Sequence, residues 1–138
     1  MNKLAKVTIA SGMALIVGFS GFGASEASAA KATAKNLYKK VEVSVDYGRQ
    51  ELEFEFEVKS NGRVEVEFEN DFTRKKLRGT AAQAEVDKAF ATYNVTGKTR
   101  TQIVNHILKT YKLSTRYQEF DFEAKLKNNK RVAFEIER

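Results

Sequence analysis

Residues 52–69 read LEFEFEVKSNGRVEVEFE. The apolar residues Leu52, Phe54, Phe56 and Val58, then Val64, Val66 and Phe68, alternate with Glu53, Glu55, Glu57, Glu65, Glu67 and Glu69. Successive side chains of a strand point to opposite faces, so each run reads as a half-buried strand. Between them stands Asn61-Gly62, a pair that favours a two-residue hairpin turn. That turn would set Val58 against Glu65 and mix the two faces. A three-residue loop, Ser60-Asn61-Gly62, instead pairs Val58 with Val64, Phe56 with Val66 and Phe54 with Phe68. Gly62 then takes the left-handed position, at little cost because it has no Cβ. A slip of one residue would invert every side chain, so parity decides the register.

The same periodicity extends in both directions. Val41, Val43, Val45 and Tyr47 alternate with Glu42, Ser44 and Asp46 and predict an earlier strand. After Phe72 the period changes. Thr80-Ala81-Ala82-Gln83 fits a capping box, followed by Ala82, Val86, Ala89, Phe90 and Tyr93 at helical spacing. Thr99-Arg100-Thr101-Gln102 is a second box, ahead of Ile103, Val104, Ile107, Leu108 and Tyr111. Period two then returns with Phe120, Phe122, Ala124 and Leu126, and again with Val132, Phe134 and Ile136. Parity places a second three-residue loop at Asn128-Asn129-Lys130. Residues 120–137 lie on 52–69 without a gap, matching Asn61 to Asn129, Arg63 to Arg131 and Val64 to Val132. Duplication or shared hairpin constraints could produce this; either way both hairpins aim their apolar faces alike. The predicted fold is α+β: one antiparallel sheet of about five strands, in the order β-β-β-α-α-β-β, with both helices on its apolar face.

The segments VEVSVDYGRQELEFEFEV and YQEFDFEAKLKNNKRVAFEIE, with an Asn-Gly hairpin and two short helices between, resemble the YusW-like proteins of Bacillus-type bacteria over residues 38–138. Many members look like lipoproteins, but no cysteine follows the apolar leader of this chain, so the resemblance does not imply a lipid tether. It implies neither an activity nor any functional residue.

The amino-terminal stretch reads as an export signal: Lys3 and Lys6, an uncharged run from Val7 to Phe22, then Ala27-Ser28-Ala29. That run is shorter than the roughly 20 residues of a spanning helix. The sequence therefore predicts a signal peptide at 1–29 cleaved near Ala29, a flexible lead-in at 30–37 and one domain at 38–138, secreted or held at the cell envelope. No transmembrane segment is expected in the mature chain. The absence of cysteine excludes disulfides, thiolate chemistry and Cys-ligated zinc.

The net charge of +6 hides an uneven distribution. The open face collects Glu42 and Asp46 with Glu53, Glu55, Glu57, Glu65, Glu67, Glu69, Asp121, Glu123, Glu135 and Glu137. The derived registers oppose Glu57 to Glu65, Glu55 to Glu67, Glu53 to Glu69, Asp121 to Glu137 and Glu123 to Glu135. Like charges directly opposed destabilise a sheet by about a few tenths of a kcal/mol per pair. The basic residues, among them Arg74, Lys75, Lys76 and Arg78 in RKKLR, are expected off the sheet in a solvated loop, giving an electrically two-sided molecule.

An acidic face of this kind can be merely solvated, which keeps the chain soluble. It can also bind: a cationic peptide or protein is the first expectation, and Ca²⁺ or another hard cation the alternative. The RKKLR segment could contact an anionic envelope polymer; it lacks the interleaved aromatics of a single-strand nucleic-acid binder, so no nucleic acid is expected. Catalysis is not expected. Paired carboxylates resemble a glycosidase dyad only in type, on a face predicted to be convex. His106, the only histidine, has no Cys or second His beside it and is expected at the surface. Asn94-Val95-Thr96 is a glycosylation pattern in form only. No cofactor is implied.

Overall fold

The computed structural model describes residues 32–138. The expected signal peptide and the start of the lead-in lie outside the described residues. A single 3₁₀ turn, Ala34–Asn36, leads into β1 (Tyr38–Asp46), β2 (Glu51–Val58), β3 (Val64–Asn70) and β4 (Lys75–Arg78). Helices α1 (Gly79–Phe90) and α2 (Arg100–Thr110) follow, then β5 (Glu119–Leu126) and β6 (Arg131–Glu137). All six strands form one antiparallel sheet in the order β4-β3-β2-β1-β5-β6.

The alternating pattern sorts as expected. Val41, Val43, Val45, Leu52, Phe54, Phe56, Val66, Phe68, Phe120 and Phe122 are buried on one face. The helices cover that face with Ala82, Val86, Ala89 and Phe90 from α1 and Ile103, Val104, Ile107 and Leu108 from α2. Phe90 of α1 sets its ring on the middle of the sheet. Its ring lies 5.6 Å from that of Tyr38, 6.1 Å from Phe54 and 6.1 Å from Phe122.

The first hairpin has the derived register, with Val58 opposite Val64, Phe56 opposite Val66 and Phe54 opposite Phe68. Gly62 adopts φ 85°. The second hairpin departs from its expected register by two residues. Asp121 faces Glu135, Glu119 faces Glu137, and Glu123 faces Ala133. The loop is Lys127-Asn128-Asn129, closed by Leu126 N–H to the Lys130 carbonyl at 2.8 Å and Asn129 N–H to the Leu126 carbonyl at 2.9 Å. Its third residue must be left-handed. Asn129 fills that place at φ 71°, where the expected loop would have forced Lys130 into a conformation that asparagine tolerates far better. A shift of two preserves parity, so the faces are unchanged. The ungapped sequence match therefore does not superpose the turns: Asn61 is the middle residue of its loop, Asn129 the last of its own.

The sheet also has a sixth strand, where a solvated loop was expected. Asn70, buried, accepts the Phe72 N–H on Oδ1 at 2.9 Å. Arg74 turns back at φ 58°. Lys75–Arg78 then pairs with β3, Leu77 beside Phe68, Lys76 beside Glu69 and Arg78 beside Glu67. Opposite charges thus stand across this ladder on either side of its single apolar residue, Leu77. Because β4 runs to Arg78 and Gly79 (φ 65°) swings the chain directly into α1, the Thr80 capping box does not form. The Thr99 box does: Thr99 Oγ1 accepts from Gln102 N–H at 3.1 Å, and Gln102 Oε1 from Thr99 N–H at 2.8 Å.

Candidate functional site

The face away from the helices is concave, not convex. Across all six twisted strands it curls into an open trough of about 790 Å³. The ladder registers order its side chains in rows that cross the strands. One row runs Arg78, Glu67, Glu55, Glu42, Glu123, Ala133 from β4 to β6; the next runs Lys76, Glu69, Glu53, Ser44, Asp121, Glu135. A third holds Glu51, Asp46, Glu119 and Glu137. At the hairpin end Glu65 and Glu57 meet Lys40, Lys125 and Arg131. Neighbouring strands are about 4.8 Å apart, so the backbones that carry adjacent carboxylates of the first three rows lie at that spacing.

Of the residues expected on this face, Glu53, Glu55, Glu67, Glu69, Asp121, Glu123 and Glu135 line the trough. Glu57 and Glu65 do not; Lys59 draws them to the hairpin end at 3.1 and 3.5 Å. Glu137 also lies outside the lining and instead joins Glu119 and Glu135, whose carboxylate oxygens all fall within 4.8 Å of one another. The RKKLR segment divides. Lys76 and Arg78 line the trough, 3.9 Å from Glu69 and Glu67 respectively. Lys75 points the other way and bonds Glu85 of α1 at 2.8 Å, while Arg74 makes the turn. The molecule is thus not electrically two-sided: Lys76, Arg78, Lys40 and Arg131 share the face with the acids and bound them. Glu51 and Glu119 were not singled out in the sequence. Glu119 and Glu51 stand in phase with Asp121 and Glu53, so carrying the alternation one step outward finds both.

Environment separates the carboxylates into two groups. A hydrogen bond shared with Glu42, and then partial burial, push the Glu55 carboxyl above its ordinary range. Partial burial, then the charges of Glu51 and Glu69, do the same for Glu53. Glu135 is raised by its hydrogen bond with Glu119 and the charge of Asp121. Bonds from arginine act in the opposite sense: Arg63 lowers Glu65, and Arg131, 2.8 Å from Glu123, lowers that group. Crowding alone would raise them all; a directly bonded guanidinium outweighs it.

These shifts act on stability in opposite senses as pH falls. Glu53, Glu55 and Glu135 hold protons more tightly in the fold than in the unfolded chain, so stability grows as pH falls through their folded values. Glu65 and Glu123 hold them less tightly, so their contribution is lost as pH falls further, through theirs. Thermal melts should therefore rise and then fall on acidification from neutral pH. Carboxyl NMR should find Glu55 titrating above, and Glu123 below, the ordinary glutamate value. Coincident titrations at that value would refute the assignment.

The profile for YusW-like protein matches residues 26–128. The chain belongs to the YusW-like protein family. Comparisons with curated proteins and with solved structures find no match. In this YusW-like chain the matched region spans β1 to β5 and stops in the loop ahead of β6. His106, expected at the surface, is half-buried. Its ring stacks on Tyr93 at 3.6 Å, and its Nε2 lies 2.7 Å from the Ala89 carbonyl, so it ties α2 to the end of α1.

Proposed function

We propose that this is an exported, non-enzymatic binding domain of the cell envelope or medium, and that its trough receives a cationic segment of a peptide or protein. The observation that carries this reading is the arrangement of carboxylates on β3, β2, β1 and β5 in one open channel, with bases held to its margins. Clustered like charge in a concave site focuses the field and draws in the opposite charge. Lys76 and Arg78 stand against glutamates, which favours a cationic partner over an anionic envelope polymer. A hard cation at Glu119, Glu135 and Glu137 is the second reading, favoured by the closeness of their oxygens. Three side chains, two of them exposed and Glu119 half-buried, supply fewer oxygens than the six to eight that Ca²⁺ takes, so the peptide reading stands first.

Calorimetric titration with oligolysine and oligoglutamate peptides tests it. Oligolysine should bind, oligoglutamate should not, and affinity should drop steeply with salt. The double change Glu55→Gln with Glu67→Gln should weaken oligolysine binding by about tenfold. Equal binding by the variant would remove the trough from consideration. Melts in EDTA and in added Ca²⁺ separate the second reading, which an unshifted melt would exclude.

A further inference from the structure

The two edges of the sheet are guarded differently. β4 is four residues long and carries Lys75, Lys76 and Arg78. A second copy brought against it would meet like charge, a common protection of edge strands. β6 runs seven residues, RVAFEIE, without lysine or proline, and among the described residues it pairs with β5 alone. Its backbone groups divide by parity. Arg138 N–H donates to the Gln118 carbonyl at 2.9 Å, and the Lys130 carbonyl accepts from Leu126. Even-numbered residues thus turn their groups toward β5. In an antiparallel ladder the intervening ones turn theirs away, so Arg131, Ala133, Glu135 and Glu137 present N–H and C=O at the open edge.

That edge is complementary to itself. Antiparallel pairing about Phe134 sets Arg131 opposite Glu137, Ala133 opposite Glu135, Val132 opposite Ile136 and Phe134 opposite its own copy. Base meets acid on the trough face, apolar meets apolar on the helix face, and the open backbone positions oppose one another as hydrogen-bonded pairs. Moving the axis to Ala133 would bring Lys130 against Ile136; moving it to Glu135 would oppose that carboxylate to itself. A second observation converges on the same register. At the β4 margin Lys76 and Arg78 stand beside Glu69 and Glu67. At the β6 margin, no ion pair reaches Glu119, Glu135 or Glu137 among the described residues. In the paired register the partner's Arg131 lies opposite Glu137 and diagonal to Glu135.

We propose that two copies of this chain join through β6, antiparallel about Phe134, into one twofold-symmetric sheet that carries both troughs on the same face. The interface is isologous, so it closes at two copies.

Sedimentation velocity of the purified chain over a concentration series tests this. The unmodified chain should dimerise. Glu137→Arg should weaken dimerisation by about tenfold or more, since it opposes two cations at each end. Arg131→Glu combined with Glu137→Arg should restore it. Ala133→Pro should abolish it while leaving the melt and circular dichroism in place, because the Ala133 N–H is not used by β5. A chain that stays monomeric throughout overturns the proposal. So does a dimer indifferent to Ala133→Pro, and so does a charge swap that fails to restore association.

Discussion

Phe90→Ala is expected to lower the unfolding free energy by about 3–5 kcal/mol, the usual cost of emptying a buried aromatic site. Phe90 is fully buried and its ring meets Tyr38 and Phe54 and Phe122, from three adjacent strands, as well as His106 of α2 at 6.3 Å. No small shift of α1 can refill that space, because the strands beneath are locked by their ladders. Single domains have about 5–15 kcal/mol in total, so this one change should remove a large share. Urea unfolding measures it, with Phe90→Leu as the milder control at under about 2 kcal/mol. A loss below about 1 kcal/mol for the alanine variant would mean that α1 does not seat Phe90 on the sheet.

Tyr38→Phe is the second large change, and it acts through hydrogen bonds instead of volume. The Tyr38 hydroxyl donates to the Tyr93 carbonyl and accepts the Val95 N–H at 3.2 Å. It fastens β1 to the connection between the helices. Removing one oxygen leaves both backbone groups without that partner, at a cost of about 1–3 kcal/mol. Burial, offset in part by the Val95 N–H, pushes the phenol up to about 12. Because the folded value exceeds the unfolded one, the contribution is complete below the unfolded value and is lost as pH rises through about 12. Alkaline denaturation of the phenylalanine variant should therefore be shallower, with Tyr47, also raised to about 12, and Tyr111 and Tyr93, both raised by burial, carrying the remainder. An identical alkaline profile for the two proteins would contradict the buried clasp.

Alternation was enough to read most of this fold, because a half-buried antiparallel strand writes its two faces into the sequence. It fell short where a different physical term decided. β4 offers one apolar residue, Leu77, among its four and sets Lys76 and Arg78 beside Glu69 and Glu67, a pattern that a search for apolar periodicity does not register. The second hairpin slipped by two because the left-handed preference of Asn129 settled the turn, and parity is blind to a shift of two. The identity of the acidic face was legible residue by residue. Its concavity was not, since curvature comes from twist accumulated over six strands. Lys40 was likewise hidden as a neighbour of the acids: it meets Glu57 and Lys125 only through pairings between separate parts of the chain.

The strand order has a kinetic side. β1 sits in the middle of the sheet, with β2 on one flank and β5 on the other. The first neighbour arrives after a short hairpin; the second is separated from it by β2, β3, β4 and both helices. Closing so long a loop costs little in stability, about 0.6 kcal/mol for each doubling of its length, but such distant pairings slow folding. Until the last hairpin is made, β1 has one open flank and the helices have only part of their floor. A chain still emerging from the ribosome thus lacks the strands that complete its sheet, and β5 and β6 close it last.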